Sequence, residues 1–248
     1  MRERLRFIET HREDLTLADG QQIRLRLLCP SDKACMKSAF AELSAQSRHK
    51  RFFSAKDSLS HDELRYFTEM DGYDHFALAA VEIDRNGNEG RGLGVTRCIR
   101  LVDDIECAEV AITVIDRMQG HGIGRILLER LVDAARERGI ARFRFECLAH
   151  NQEIQGLIGK VCRIVDTHFD GEVRIVETDL PNAVAGTPQH APETLFNLYN
   201  LLQALAIQSI DLQMDMSRAT LNQTIDVTRQ SVGFMSTLKG TLPFQLEK

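Results

Sequence analysis

A cluster of glycines between an apolar run and an amphipathic segment most constrains the fold of this chain. The cluster spans Gln119 to Gly124 with the sequence Gln-Gly-His-Gly-Ile-Gly; an apolar run from Val110 to Ile115 precedes it, and a helical pattern opens near Ile123. Glycine lets a ligand approach the backbone, and a helix N-terminus presents unpaired N–H groups and the positive end of the helix dipole. The segment therefore predicts a strand-loop-helix unit that binds an anion such as a pyrophosphate.

Two common glycine-rich phosphate loops do not match this segment. A Walker loop ends in Gly-Lys-Ser/Thr, whereas Gly124 is followed by Arg125 and Ile126. The dinucleotide fingerprint spaces its glycines as G-x-G-x-x-G, but the third position after Gly122 is Arg125. A plain tight turn is the remaining alternative to pyrophosphate binding. We expect His121 to be a solvent-facing spacer, because such a loop works through its backbone.

The composition is that of a soluble globular protein without general affinity for polyanions. The 248 residues suit one domain plus an appendage, the hydrophobic fraction is 43%, and the net charge is -5. We therefore expect no nucleic-acid partner. The amino terminus lacks an apolar signal region, and no apolar run approaches about 18 residues, so a cytoplasmic protein without a membrane span is expected.

The cysteines and histidines predict neither disulfides nor a metal centre. The cysteines form no C-x-x-C pair, as expected for buried or inert thiols in a reducing compartment. They are Cys29, Cys35, Cys98, Cys107, Cys147 and Cys162. The histidines are dispersed, and His61-Asp62-Glu63 lacks the spacing of a zinc-binding helix. No metal is expected.

Hydrophobic periodicity and turn signals predict the element order β-α-α-β-β-β-α-β-α-β-β. The predicted strands lie near residues 23–27, 76–83, 93–101, 107–115, 143–147, 164–165 and 173–178. The predicted helices span about residues 30–43, 60–70, 123–139 and 151–161. A loop is expected to carry Arg48 to Phe53.

A proline-rich stretch predicts where the main domain ends. Three of the chain's five prolines lie within residues 181–192, among Ala, Gly and Thr. We therefore expect a domain at 1–181, a linker at 182–193 and a helical extension at 194–248. The apolar residues of the extension follow helical spacing: Leu195, Leu198, Leu202, Leu205, Leu212, Met216, Leu221, Ile225, Val232 and Met235. This stripe could pack on its own domain, on a second copy of the chain to give a homo-oligomer, or on a partner.

The residues around the glycine cluster resemble the coenzyme A loop of the GNAT superfamily of N-acetyltransferases. The resemblance rests on Gln-x-x-Gly-x-Gly at a strand-to-helix junction, preceded by Val114 to Met118. Further segments resemble the acetyltransferase domain of bacterial protein lysine acetyltransferases: Leu43 to Arg48, Arg51 to Ser54, Ala108 to Ala111 and Gly171 to Pro181. The resemblance covers about residues 20–181. It implies the GNAT fold, an α/β (α+β) arrangement with a mixed, mostly antiparallel twisted sheet flanked by helices.

Glu109 is the candidate general base. It is the only carboxylate between Cys107 and Ile115, and strand alternation places it on the same face as Ala111 and Thr113. A lysine amine has a pKa near 10.4 and is almost wholly protonated at neutral pH, so a base must act directly or through one water. Alone, Glu109 could be an ordinary polar residue on an exposed strand face. The resemblance favours the base, because the family has a glutamate at this place in that role.

The resemblance also implies acetyl-CoA as cosubstrate and an amine as acceptor. The backbone of Val114 would polarise the acetyl carbonyl and pair with the pantetheine arm. Asn151 stands where the family has a pantetheine-contacting asparagine, although helix N-capping also explains it. The expected cofactor-binding residues are Ile112, Val114, Gln119, Gly120, His121, Gly122, Ile123, Gly124, Arg125 and Asn151.

Two departures from the superfamily affect the expected site. The helix from Asn151 to Val161 contains no tyrosine that could protonate the leaving thiolate, so no general acid is assigned. Cys162-Arg163 replaces the usual Gly-Phe, which would alter the wall beside the thioester. We expect Arg51-Phe52-Phe53 to be core packing with a surface arginine. Three functions stay open: acetyl transfer to a protein lysine, acetyl transfer to a small amine, and non-catalytic acyl-CoA sensing.

Overall fold

The protein is described from residue 5 to residue 181 by a computed structural model, which contains one sheet and five helices in that range. The strands are Arg12–Thr16 (β1), Gln22–Leu27 (β2), His75–Ile83 (β3), Glu89–Arg100 (β4), Cys107–Val114 (β5), Arg142–Leu148 (β6), Arg163–Asp170 (β7) and Val173–Asp179 (β8). The helices are Lys33–Ala41 (α1), Ala45–Phe52 (α2), His61–Thr68 (α3), Ile123–Glu137 (α4) and Gln152–Val161 (α5). The predicted fold class is confirmed.

The sheet is mixed and mostly antiparallel. Its strand order is β1-β2-β3-β4-β5-β6-β8-β7, and β5 with β6 is the parallel pair. That pairing ends at Val110 opposite Phe145, although β5 continues to Val114 and β6 to Leu148. The two strands therefore separate in the middle of the sheet and leave a gap between their carboxyl ends.

Helices cover the central strands on both faces. A Cβ placed on Gly92 would meet Cys35 of α1, whereas a Cβ on Gly94 would meet Leu127 of α4, so the two helices lie on opposite faces of β4. The apolar stripe of α4 is fully buried on its face and forms the centre of the core. This stripe comprises Ile123, Leu127, Leu128 and Leu131. The side with α1 keeps open space beside β5.

The predicted helices and strands from residue 60 onward are confirmed, most of them with small shifts at their ends. The strand predicted near residues 164–165 is longer and spans Arg163–Asp170. The capping box at Ser60 is present, because the Ser60 hydroxyl accepts from Glu63 N–H at 3.2 Å and Glu63 Oε2 accepts from Ser60 N–H at 2.8 Å. Gly139 has a φ of 74° and follows α4, as expected for a helix stop.

The expected loop at Arg48 to Phe53 is wrong, because these residues lie in and just after α2. Ser44 is the N-cap, and its hydroxyl accepts from Ser47 N–H at 3.1 Å. The helix ends at Phe53, which has a left-handed φ of 54°. Polar and basic residues fill α2, so it has no apolar stripe from which a helix could have been predicted.

The strand β1 is absent from the predicted elements. Its sequence, Arg-Glu-Asp-Leu-Thr, has little alternation of apolar residues. It forms a hairpin with β2 around Gly20, and Arg24 donates two hydrogen bonds to Asp14, at 2.6 and 2.8 Å. Cross-strand charge pairs therefore replace the hydrophobic pattern at this edge of the sheet.

The linker at 182–193 and the helical extension at 194–248 lie outside the described residues, so the three-part organisation and self-association stay predictions. Between residues 5 and 181, no helix is long and apolar enough to cross a membrane. The same part of the chain contains no group of three His, Cys, Asp or Glu side chains placed to hold a metal ion.

Candidate active site

The gap between β5 and β6 exposes main-chain groups of β5. The N–H of Ile115 donates to the carbonyl of Leu93 on β4 at 3.0 Å. Because backbone groups alternate in direction along a strand, the N–H and C=O groups of Ile112 and Val114 point to the opposite edge, where β6 has diverged. An extended ligand could pair with this edge of β5 in the way that a neighbouring strand would.

The glycine loop closes one end of the gap and presents unpaired N–H groups. Gly120 and Gly122 have φ values of 79° and 88°, a left-handed conformation that other residues adopt at a cost. Gly122 is the N-cap of α4 and provides no side-chain cap, so the first-turn N–H groups after it have no acceptor within residues 5–181. The loop and helix end together can bind an anion.

A cavity of about 400 Å³ joins the loop to the gap. Its lining comes from β5, the glycine loop, α2 and α5: Ser47, Lys50, Arg51, Ile112, Thr113, Val114, Met118, Gln119, Gly120, Gly124, Asn151, Glu153, Ile154 and Leu157. Lys50 Nζ lies 2.9 Å from Glu153 Oε2 and so links α2 to α5 at this cavity. The Gln119 side chain donates to the Val114 carbonyl at 3.1 Å and to Ser47 Oγ at 3.3 Å.

Asn151 borders this cavity with an unused hydrogen-bond acceptor. It is the N-cap of α5, but its side chain makes no capping hydrogen bond. Its exposed fraction is 9%, and Oδ1 has no partner in the described part of the chain. A buried carbonyl oxygen without a donor is costly, so a ligand that supplies an N–H group is expected here. The capping explanation of Asn151 is therefore insufficient.

Glu109 lines a second cavity, of about 90 Å³, with Glu146 of β6 on the same side. Glu109 is accessible to solvent, but neighbouring side chains remove part of its hydration. This desolvation raises the pKa of Glu109 above its usual value, and the charge of Glu146 raises it further. The cations of Arg51 and Arg144 oppose the shift. A carboxylate with a raised pKa accepts a proton more readily, as a general base requires.

Arg51 lies at the meeting point of the cavities. It lines the 400 Å³ cavity, the Glu109 cavity and a third, apolar cavity of about 90 Å³ under α1 and α3. Burial lowers the pKa of the Arg51 guanidinium, and the charge of Glu109 opposes that change. Arg51 is half-buried rather than on the open surface. Phe52 packs on the core as expected, with its ring centroid 5.7 Å from that of Phe40, but Phe53 is exposed, so the expected core packing is wrong for that residue.

The third cavity lies on the face of the sheet that carries Ala111 and Thr113. A buried pair supports its floor: Arg97 Nη1 lies 2.6 Å from His75 Nε2. Burial, with the charge of Arg97, lowers the pKa of His75 to about 3, so the imidazole is neutral and accepts the hydrogen bond. The cavity under α1 and α3 is therefore mainly apolar, whereas the neighbouring cavity that contains Glu109 is acidic.

Comparison with known proteins decides the family. The profile of the Acetyltransferase (GNAT) family matches residues 40–162. The GNAT domain of S. lividans PAT is 30% identical, with a TM-score of 0.61 over 68% of this chain and 97% of that one. The chain belongs to the GNAT family. GNAT enzymes are acyl-CoA-dependent N-acetyltransferases.

Two further relatives agree. Acetyltransferase Pat of Mycolicibacterium smegmatis is 30% identical over 162 residues, which make up 65% of this chain and 47% of that protein. The chain thus corresponds to about half the length of that relative. The structure of yncA from Salmonella typhimurium with its cofactor acetyl-CoA has a TM-score of 0.53 at 16% identity, over 68% of this chain and 99% of that one. This last similarity is evidence for the GNAT fold alone.

The structure brings most of the predicted site residues to one place. Six of the ten predicted cofactor-binding residues line the 400 Å³ cavity: Ile112, Val114, Gln119, Gly120, Gly124 and Asn151. The Ile123 side chain is buried in the core, so only its N–H could reach a ligand. Arg125 donates to Glu129 at 2.7 Å on the outer surface of α4. The His121 ring is exposed, 3.6 Å from Asp19, as expected of a spacer.

Sequence reasoning missed the contribution of α2 and β6. Ser47, Lys50 and Arg51 enter the site because α2 lies against the end of β5, and Glu146 enters because β6 runs parallel to β5. The resemblance of the segment from Leu43 to Ser54 to bacterial protein lysine acetyltransferases was the one sequence signal that could have placed α2 at the site. The unusual Cys162 is buried in the core, where burial raises its pKa to about 11, and it lines none of the three cavities described above.

Proposed function

We propose that this protein transfers an acetyl group from acetyl-CoA to a lysine ε-amine of a protein. One observation carries the proposal. The gap between β5 and β6 is bordered at one end by Glu109, a carboxylate with a raised pKa, and at the other by a glycine loop whose N–H groups could bind an anion. The similarity to acetyltransferases named Pat supports a protein acceptor.

Acetyl-CoA fits the site through groups that the fold leaves unpaired. The N–H groups of the glycine loop and the first turn of α4 would bind the pyrophosphate, and the exposed main chain of Ile112 and the N–H of Val114 would pair with the pantetheine arm. Asn151 Oδ1 borders the same path, and its two lone pairs can accept one hydrogen bond from the pantetheine arm and one from a second donor. These contacts would hold the thioester within reach of an amine in a ternary complex, so no covalent enzyme intermediate is required.

Glu109 would remove a proton from the acceptor ammonium, directly or through one water. The amine nitrogen then attacks the thioester carbonyl carbon; the C–N bond forms, the C–S bond breaks, and the second amine proton passes to the leaving thiolate to give the coenzyme A thiol. A main-chain N–H of β5 would stabilise the oxyanion. The residues of α5 contain no tyrosine, and a thiol of moderate pKa can leave without an acid, so no protein group is required for that step.

Incubation with acetyl-CoA and candidate proteins, read by intact mass, tests the proposal. With the wild type, the mass of a substrate protein should increase by about 42 Da for each lysine that is acetylated. The Glu109→Gln variant should lose activity by about 10²- to 10⁴-fold while still binding acetyl-CoA in calorimetry. Acetylation of small amines but of no candidate protein would favour the small-molecule function. Binding of acetyl-CoA without any transfer, unchanged in Glu109→Gln, would instead identify a non-catalytic regulator.

A further inference from the structure

The cavity at Glu109 contains a second carboxylate that the reaction described above does not use. In the parallel pairing of β5 with β6, Glu109 lies opposite Arg144. Glu146 is two residues further along β6, so it projects from the same face of the sheet. Both glutamates line the same cavity of about 90 Å³. The sheet topology therefore brings both carboxylates to the lining of one cavity.

Few cations are available to neutralise this pair. Arg144 donates to Glu177, its neighbour on β8, at 2.9 Å and is engaged there. The main chain of Glu146 pairs with β8, but its side chain forms no ion pair or hydrogen bond with any residue between 5 and 181. Arg51 is the remaining cation in the cavity lining. Two carboxylates share one guanidinium, so the cavity has an excess of negative charge and favours a cationic ligand.

Asn151 adds an independent sign that the cavity takes a hydrogen-bond donor. Its side chain lines the Glu109 cavity as well as the larger one, and it is 9% exposed. Its Oδ1 atom accepts no hydrogen bond from the described residues. A buried amide oxygen of this kind needs a donor, and carboxylates cannot supply one while ionised.

Phe53 provides an apolar wall at the rim of the same cavity. Its ring is 37% exposed, and it is the one non-glycine residue with a positive φ among residues 5–181. Non-glycine residues with such strained backbone conformations occur often at ligand-binding sites. An aromatic ring at this position can contact the methylene groups of an alkyl chain or the face of a cation.

We propose that this cavity binds the protonated acceptor amine, with Glu146 as a positioning residue that holds the ammonium beside Glu109. The inference rests on the proposed function and specifies its substrate class, a cationic primary amine on an alkyl chain. A primary ammonium has three N–H donors, and the cavity offers three acceptors in Glu109, Glu146 and Asn151 Oδ1. The alkyl chain would leave the cavity along Phe53.

Glu146 does not take part in the proton transfer itself. The ammonium N–H bond breaks and the proton moves to Glu109, which becomes neutral, while Glu146 keeps its charge. The Glu146 charge raises the pKa of Glu109 but also stabilises the ammonium, so its contribution is to hold the amine in place. The amine nitrogen then attacks the thioester; its second proton leaves with the thiolate, so the products are the amide, the coenzyme A thiol and protonated Glu109, which returns its proton to solvent.

Glu146→Gln tests the positioning role, with Glu172→Gln in the exposed β7–β8 turn as the matched control. For a lysine acceptor, we expect the KM of Glu146→Gln to rise about tenfold or more, with kcat within about threefold of wild type and the acetyl-CoA affinity unchanged. The acidic limb of kcat/KM should move to lower pH, because removal of the Glu146 charge lowers the pKa of Glu109. Glu172→Gln should match the wild type in all three measurements.

A binding measurement separates this inference from the proposed function. Calorimetry of the coenzyme A-saturated protein with N-acetyl-lysine methylamide, and with its uncharged norleucine analogue, measures recognition of the ammonium without turnover. Preference for the lysine compound that disappears in Glu146→Gln supports the inference even if no protein substrate is acetylated. An active wild type whose KM, pH profile and lysine preference are all retained in Glu146→Gln would overturn the inference and leave the proposed function intact.

Discussion

Ser44 at the start of α2 is hydrogen-bonded to Asp116 in the segment that leads into the glycine loop. The Ser44 N–H donates to Asp116 Oδ2 at 2.9 Å, and the Ser44 hydroxyl donates to Asp116 Oδ1 at 2.7 Å. Ser47 adds a third hydrogen bond to Oδ1 at 2.9 Å. Partial burial would raise the pKa of Asp116, but these donors hold it below its usual value. Asp116 therefore fixes the helix that carries Arg51 to the loop expected to bind the coenzyme.

Asp116→Ala should weaken both stability and coenzyme binding. The substitution leaves the Ser44 N–H and two hydroxyls without their acceptor, which costs about 1–3 kcal/mol in the free energy of unfolding. Since α2 is then less well fixed, the Kd for acetyl-CoA in calorimetry should rise as well. Asp62→Ala, in the exposed first turn of α3, is the control and should change stability by less than about 1 kcal/mol. Unchanged coenzyme affinity in Asp116→Ala would show that α2 position does not affect the coenzyme site.

Gly122→Ala should damage the loop through backbone conformation. No atom lies within 4 Å of the added Cβ, so space is not the problem, but the φ of 88° is unfavourable for alanine by about 1–2 kcal/mol. Relaxation of that strain turns the N–H groups away from a pyrophosphate, and the Kd for coenzyme A should rise about tenfold. Gly156→Ala is the matched control: its Cβ is also unopposed, but Gly156 is inside α5, so alanine should raise the free energy of unfolding by up to about 1 kcal/mol.

The sequence predicted those parts of the site that depend on one continuous segment. Glu109 could be found because alternation along β5 is local, and the glycine loop because its strand and helix are adjacent in the chain. Arg51 could not be found in this way, since its position depends on Asp116, which lies far away in sequence. Glu146 likewise requires the parallel pairing of β5 with β6, which no local pattern specifies.

The structure gives Glu109 a pH dependence that a kinetic profile can measure. The carboxylate must be ionised to accept a proton, and its pKa is raised chiefly by desolvation. The kcat/KM of the wild type should therefore fall on the acid side with an apparent pKa above the usual glutamate value of about 4.3. In Glu109→Gln this acid limb should disappear together with most of the activity. An acid limb that persists in the variant would assign it to another group.

Arg51→Gln should move the same acid limb in the opposite direction from Glu146→Gln. The Arg51 cation favours the ionised form of Glu109, so its loss raises the pKa of that carboxylate and shifts the limb to higher pH. Arg85→Gln, in the exposed turn between β3 and β4, is the control and should leave the profile unchanged. Thermal unfolding of each variant checks that the fold is retained. A profile that shifts to lower pH in Arg51→Gln would contradict the electrostatic account of the site.

His75 should make the domain sensitive to mild acid. Its folded-state pKa of about 3 is far below the value of about 6.5 in an unfolded chain, because burial and the Arg97 charge disfavour the imidazolium. Below pH 6.5 the unfolded chain binds a proton that the folded domain does not, so this contribution to stability, fully present above pH 6.5, is lost as the pH falls. The loss approaches about 1.4 kcal/mol per pH unit between pH 6 and 4. Urea unfolding at pH 7, 6 and 5 should therefore show a steeper decline for the wild type than for His75→Gln, whose amide oxygen can still accept from Arg97 and which has no proton to gain. Equal slopes would show that His75 gains its proton in the folded domain as readily as in the unfolded chain.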